Sequence, residues 1–336
     1  MRIAVVASLV TPLLPVQAGG AQAFLVDLAR GLAGRGHSVQ LYCAEGSEVA
    51  GVELVEIPVE AGVGRALVMP GGAPAGEVPE LRRGFESLFT ELRRRGADVV
   101  SQHAFDAEAL ELAAGLPVLH TLHLPPIVPA VVAAARACRE PLATVSAAMR
   151  RAWSAAGVET RVLPDGVPDW EPEPGPVARV ALLAGRISPE KGIEDGVAAA
   201  RLAGLRPLVV GGDYDRAYRE SLEDIEVRPP LPRAELWRLM AASAVTVLPA
   251  RWEEPFGLVA AEAQVAGCPV AAYARGALAE VVRDGEGGFL ARANDVADLA
   301  RAIGDCLCLD RAGVRAQARP RLLLEGSLDA YEEALR

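Results

Sequence analysis

The chain has 336 residues, 51% of them hydrophobic, enough to fill two buried cores of ordinary domain size. A net charge of −10 and a pI near 5.1 exclude nucleic acid as a bulk partner. Five scattered cysteines (Cys43, Cys138, Cys268, Cys306, Cys308) without a C-x-x-C suggest neither a disulfide framework nor a zinc site and fit a reducing cytoplasm.

Residues 1–7 form a short apolar run that reaches Thr11-Pro12, and they read as a buried first strand rather than a signal peptide. A loop over 11–20 then leads into a helix running to about Leu32. Gly19-Gly20 stands at the helix start, where backbone N–H groups could approach a ligand; the alternative is a flexible connection. The loop lacks G-x-G-x-x-G, which counts against a nicotinamide-dependent dehydrogenase. Strand 38–42 follows Gly36-His37, and His37 reads as structural. The Gly-, Pro- and Ala-rich segment 60–79 is expected to be mobile or irregular. Leu81, Phe85, Leu88, Phe89 and Leu92 share one face of a helix. Arg93, Arg94 and Arg95 read as the exposed end of that helix rather than as an anion or membrane contact.

Strands over 98–100 and 117–121 place His103, His120 and His123 near strand ends, a cleft signal in the first half. Their spacings match no common metal-ligand pattern. The Ala-rich stretch 129–137 is too short to cross a bilayer. Residues 164–176 carry five prolines and several acids and read as a linker. Beyond it, strands are expected over 178–184, 206–210, 244–249 and 269–273. Asp213-Tyr214-Asp215 resembles a metal-holding acidic pair, but it follows two glycines after an interior strand and reads as a turn. Strand–helix alternation of this kind predicts two α/β domains with parallel sheets. Ligands of such sheets bind beyond the carboxyl ends of the strands, so two domains facing each other would enclose a cleft.

Two segments carry the chemistry. Gly185-Arg186-Ile187-Ser188-Pro189-Glu190-Lys191-Gly192 follows strand 178–184. Lys191 is the chain's only lysine. With Arg186 it could clamp a diphosphate and neutralise a departing nucleoside diphosphate; the alternative is a solvated turn. Downstream, Glu254-Pro255-Phe256-Gly257-Leu258 leads from a strand into a helix that carries Glu262. The N–H groups at that helix start, at Gly257 and Leu258, suit a phosphate. Glu262, one turn further in, could bind ribose hydroxyls. The alternative is an acidic flank that stabilises the helix dipole.

Taken in order, these segments resemble the family-4 retaining glycosyltransferases over nearly the whole chain. Gly19-Gly20, Arg35-Gly36-His37, Thr121-Leu122-His123, Thr144-Val145-Ser146 and Leu163-Pro164-Asp165-Gly166-Val167 match its first half. The 185–192 turn, the 254–262 stretch, Gly267-Cys268-Pro269-Val270 and Ala279-Glu280-Val281-Val282 match its second. The resemblance implies the GT-B architecture: two Rossmann-like doubly wound domains facing across a cleft. The expected division is an acceptor-binding domain over 1–167, a linker over 168–177, a donor-nucleotide domain over 178–318, and a C-terminal helix over 319–336 packing back on the first domain.

By the same resemblance, Arg186 and Lys191 bind the diphosphate and Glu262 the ribose. Glu254 contacts sugar hydroxyls near the anomeric carbon, and His123 lies by the transferred sugar. Gly20 meets the phosphates by its backbone, and Gly19 and Gly185 belong to the donor site. The implied donor is a UDP- or GDP-linked sugar, with retention of configuration, no metal and no further cofactor. The acceptor is a small molecule, a glycan or a lipid-linked molecule, with peripheral membrane contact open. Asp165, Ala250 and Arg228-Pro229-Pro230 depart from the family's usual residues, and the last two bear on base preference. Three other readings of the frame are a nucleotide-sugar epimerase, a sugar phosphorylase, and a non-catalytic binder of sugar nucleotides. Intact Arg186, Lys191 and Glu254 weigh against the last.

Overall fold

The computed structural model describes residues 1–16, 19–67, 78–173, 175–222 and 225–336. The chain forms two compact units: Met1–Gln17 with Ala21–Pro164 and Ser327–Arg336, and Asp165–Gly326 with Ala18–Gly20. Half of the 60–79 segment, residues 68–77, lies outside the described residues. Among those described, no helix is long and apolar enough to cross a membrane.

The first unit is built on seven parallel strands: β1 (Arg2–Val6), β2 (Ser38–Ala44), β3 (Glu53–Ile57), β4 (Val99–Gln102), β5 (Val118–Leu122), β6 (Leu142–Thr144) and β7 (Arg161–Val162). Their spatial order is β3-β2-β1-β4-β5-β6-β7. Ile3 to Val6 are all buried, as a central strand covered on both faces requires. The crossover helices are α1 (Gly20–Gly34), α2 (Pro79–Arg95), α3 (Ala107–Leu112), α4 (Pro129–Ala137) and α5 (Ala147–Ala155). The apolar face read for 81–92 is the buried stripe of α2, packed with β1, β2 and β4 residues in one core. Beyond that stripe Arg94 and Arg95 pair with Glu91, and Arg95 also reaches Glu53. The strand order reverses between β1 and β4, the topological switch point where ligands of open sheets bind.

The second unit repeats the architecture with β8 (Ala178–Ala184), β9 (Arg206–Val210), β10 (Val227–Arg228), β11 (Ser243–Leu248), β12 (Val270–Tyr273) and β13 (Gly288–Ala291), ordered β10-β9-β8-β11-β12-β13. Its helices are α6 (Ile193–Leu202), α7 (Arg216–Ser221), α8 (Arg233–Ala242), α9 (Leu258–Val265), α10 (Leu278–Val281), α11 (Val296–Cys306) and α12 (Arg311–Leu322). Here the order reverses between β8 and β11, so the loops leaving those two strands stand side by side.

The Pro-rich segment after residue 164 is anchored to the second unit. Leu324 N–H donates to Val167 O at 2.8 Å, and Asp169 accepts from Arg319 at 2.5 Å. The Trp170 and Trp237 rings lie 5.8 Å apart. The C-terminal segment expected as one helix over 319–336 is the end of α12 followed by α13 (Leu324–Ala334). The break falls at Leu323, whose extended backbone bridges Val167 instead of continuing the helix. Leu328 of α13 packs so closely on Gly31 that a Cβ there would come within 2.7 Å of it. Glu332 meets Arg35 and His37, so His37 does have a structural partner.

Candidate functional site

In the second unit, β8 ends at Ala184 and the chain turns through Gly185 and Arg186 into a short 3-10 turn, Pro189–Lys191. Gly192 ends that turn in the left-handed region at φ 60°, and a Cβ there would lie 2.3 Å from the Pro249 carbonyl oxygen. Glycine at 192 therefore lets the loop after β8 press against the loop after β11. The Arg251 N–H donates to Glu190 O at 2.8 Å, and the Arg251 guanidinium pairs with Glu194 and Asp195 at the start of α6.

This contact brings the expected cations and carboxylate together. Lys191 Nζ lies 2.8 Å from Glu254 Oε2, and the Trp252 indole N–H donates to the same oxygen at 2.7 Å. Lys191 Nζ also stands 5.4 Å from the Trp252 ring centre, and the Arg186 guanidinium lies 5.9 Å from that ring and 5.3 Å from that of Tyr214. Burial pushes the Glu254 carboxyl up, but Lys191, Trp252 and Arg186 together outweigh it and hold the group below the ordinary range. It is therefore an anion at neutral pH, ringed by cations and aromatic faces.

The backbone of Glu254 is fixed from behind. Ala277 N–H donates to Glu254 O at 2.8 Å, and a Cβ on Gly276 would lie 2.3 Å from that oxygen. Gly257 follows in the left-handed region at φ 96° and starts α9 with no side-chain cap. The N–H groups of Leu258 and Val259 are thus left for a ligand or water, while those of Ala260 and Ala261 donate to Gly257 O. Glu262 is buried on α9, and its Oε1 accepts from Arg233 Nε at 2.7 Å. Arg233 lies over the Trp237 ring at 4.8 Å. Asp215 caps α7 by accepting from Tyr218 N–H, the part of a turn residue.

In the first unit, His123 follows β5 and His103 follows β4. His103 Nδ1 and His123 Nε2 are 2.9 Å apart, and His103 Nε2 and Ser101 Oγ are 2.8 Å apart. The Tyr331 ring of α13 stacks on His103 with centres 5.7 Å apart, and Phe24 of α1 flanks His123 at 6.1 Å. Burial drives His123 down to about 4 and His103 well below its usual value, so both rings are neutral at pH 7. His120 does not join them: it lies inside β5, buried between Gln102 and Leu142 of the neighbouring strands. The three histidines read as one strand-end group are therefore two and one, because alternate residues of a strand face opposite ways. Gly19 precedes α1 half-buried, and Gly20 opens the helix exposed.

Sequence reasoning missed Trp252, Arg233, Tyr214 and Asp106. Asp106 is buried beyond β4, and Ser8 Oγ, beyond β1, donates to it at 3.1 Å. Burial raises its carboxyl to about 7. A folded-state value above the unfolded one near 3.9 means stability is lost as pH rises from about 4 to 7. Asp106→Asn is expected to raise the unfolding free energy by a few kcal/mol at pH 8, on the order of 1.4 kcal/mol per pKa unit, with much less gain near pH 4.5. Denaturant titrations at the two pH values check this; an equal effect at both would mean Asp106 is not a raised-pKa acid.

Residues 18–171 match the family described as Glycosyltransferase Family 4, and residues 173–318 match the one described as Glycosyl transferases group 1. The chain belongs to glycosyltransferase family 4. A D-inositol 3-phosphate glycosyltransferase of Thermobifida fusca is 40% identical over 167 residues, 41% of this chain and 38% of that protein. One from Acidothermus cellulolyticus is 33% identical over 219 residues, 52% and 48% of the two chains. These matches thus span less than half the length of those curated relatives. Among solved structures, Anabaena HepE in complex with UDP and glucose has a TM-score of 0.77 at 19% identity, covering 100% of this chain and 99% of that one. Sucrose-phosphate synthase from Thermosynechococcus elongatus has a TM-score of 0.80 at 20% identity, covering 99% and 98%. The fold of this family-4 chain is therefore the GT-B glycosyltransferase fold, two parallel-sheet α/β domains.

Proposed function

We propose that the chain transfers a sugar from a nucleoside-diphosphate sugar to an acceptor hydroxyl, with retention of anomeric configuration and without a metal at the diphosphate. The observation that carries this reading is the cluster of Arg186, Lys191, Trp252 and Glu254 at the switch point of the second unit. Lys191 has three N–H donors. One engages Glu254, which leaves donors for a phosphate oxygen. Arg186, steadied between two aromatic rings, presents a second cation. The uncapped start of α9 adds backbone N–H groups and the positive end of its dipole. Together they supply at the leaving diphosphate the charge that a divalent ion supplies in other enzymes.

Glu254, ionised and hydrogen-bonded, is placed to hold sugar hydroxyls and to favour positive charge at the anomeric carbon. Glu262 is assigned to the ribose. Arg233, paired to it, positions its carboxylate. The resemblance assigns His123 to the transferred sugar and Gly20 to the phosphates. Among bases, UDP is favoured because the HepE neighbour was solved with UDP. The acceptor class stays open among small molecules, glycans and lipid-linked molecules. A polyol phosphate is the first to try, given the inositol phosphate glycosyltransferases among the relatives.

The test is a thermal-shift screen of UDP- and GDP-sugars followed by product analysis with acceptors. A ligand at 100 times its Kd adds ~2.7 kcal/mol to stability. Glu262→Ala is expected to need about tenfold or more donor for the same shift, because it removes binding shared by ground and transition states. No shift with any nucleotide sugar sinks the reading. A free sugar or a new nucleotide sugar formed without acceptor points to the epimerase instead, and a sugar 1-phosphate formed from a glycan and inorganic phosphate points to the phosphorylase.

A further inference from the structure

In the first unit, away from the His103–His123 pair, three side chains of metal-ligand type converge. His120 on β5, Cys138 just after α4 and Glu140 just before β6 each offer a donor atom, and these atoms all lie within 4.8 Å of one another. His120 is fully buried, and neither ring nitrogen has a hydrogen-bond partner among the described residues. An unpaired buried polar group is destabilising, so a ring with no partner at either nitrogen is a standing penalty unless something pairs with it. Glu140 is already held as an acceptor: Gly115 N–H donates to Oε1 at 3.0 Å and Arg139 N–H to Oε2 at 3.1 Å. Cys138 Sγ lies 3.3 Å from the same Oε2.

We propose that His120, Cys138 and Glu140 form a Zn²⁺ site in the first unit, with water completing the coordination. Bond lengths of ~2.0–2.3 Å put the donor atoms of a tetrahedral zinc site ~3.3–3.7 Å apart, so closing the cluster takes a shift of about 1 Å. The donor set of one imidazole, one thiolate and one carboxylate suits zinc and excludes magnesium and calcium. Binding releases the Cys138 thiol proton to solvent as the Zn–S bond forms. Cys138 and Glu140 are both partly exposed, which gives the ion a way in. The metal would tie β5 to the turn before β6. It stands apart from the metal-free chemistry proposed for the diphosphate and does not depend on it.

The test uses the untagged full chain carrying Cys308→Ser, which removes the one exposed cysteine. Co²⁺ serves as the spectroscopic probe. The expected result is uptake of one equivalent with a thiolate-to-cobalt charge-transfer band, displacement by Zn²⁺, and a higher thermal midpoint with Zn²⁺. Cys138→Ala should abolish the band, and His120→Phe should abolish stoichiometric uptake. Since phenylalanine fills the ring's space without an unpaired nitrogen, His120→Phe should fold at least as well without metal. If it does not fold, Glu140→Gln, at a partly exposed position, tests the same site by weakened uptake. Absence of the band in the parent chain, or an equal band in Cys138→Ala, overturns the proposal.

Discussion

Lys191→Ala is expected to lower turnover by ~10²–10³-fold at saturating donor, the scale for removing a preorganised charge partner of the transition state. The structure gives the reason for so large an effect. The ammonium is held by Glu254 at 2.8 Å and by the Trp252 ring, so it is in place before any substrate arrives. Alanine removes the cation and also leaves the Glu254 anion without its main partner, which repels a diphosphate. Arg186→Ala should fall in the same range, with more of its loss in donor affinity, since its guanidinium packs on Tyr214 and Trp252. Circular dichroism should change little, because Lys191 and Arg186 sit on a loop, while Lys191→Ala should lower the thermal midpoint because the half-buried Glu254 carboxylate loses its partner. Steady-state kinetics with a working donor check the pair; normal turnover in both variants ends the diphosphate-clamp assignment.

Glu254→Gln is expected to lower kcat by ~10²-fold with donor KM nearly unchanged. The amide keeps the shape and one acceptor oxygen but loses the charge. If Glu254 stabilises positive charge developing on the sugar, that charge is felt only in the transition state. If it merely orients hydroxyls, the amide does nearly as well and kcat drops only a few-fold. The stereochemistry of the product gives an independent readout: an α-linked donor sugar should give an α-linked product. An inverted product, or a variant altered in KM alone, removes Glu254 from this role.

Both predictions rest on residues that were visible in the sequence, and the reason is local. Arg186, Lys191 and Glu254 lie in turns that follow strongly apolar strands, and Glu262 lies one turn inside the helix that the second of these turns starts. Eight strands could be placed because each is a short, nearly continuous buried run bounded by glycine or proline. β3, β6, β7, β10 and β13 were not anticipated: β3, β7, β10 and β13 are short strands at sheet edges, and β6 has only three residues. What could not be read was contact between distant segments. Nothing in the spacing of Trp252 and Lys191 says that the indole N–H and the ammonium share one carboxylate oxygen. Nothing links Arg233 to Glu262 until α8 and α9 are packed. The histidines show the same limit from the other side. Their nearness in sequence suggested one group, while strand alternation separates His120 from its neighbours. Cys138 and Glu140 escaped for a related reason: metal patterns are sought as close repeats along the chain, and here β5–β6 pairing brings the ligands in from 18 and 20 residues away.

The path of the chain has a practical corollary for taking the protein apart. The second unit is an almost continuous stretch, Asp165–Gly326, whereas the first is closed only when residues from beyond Gly326 return to it. Tyr331 lies under His103 with its hydroxyl 3.2 Å from Thr121 Oγ1, and Leu328 fills the notch that Gly31 leaves. A fragment stopped at residue 164 would therefore expose the underside of its own histidine pair, and a fusion at the C-terminus would pull on the segment that seals it. Expressed alone, the second unit is the separable piece; the first needs residues 327–336 supplied, in cis or as a peptide.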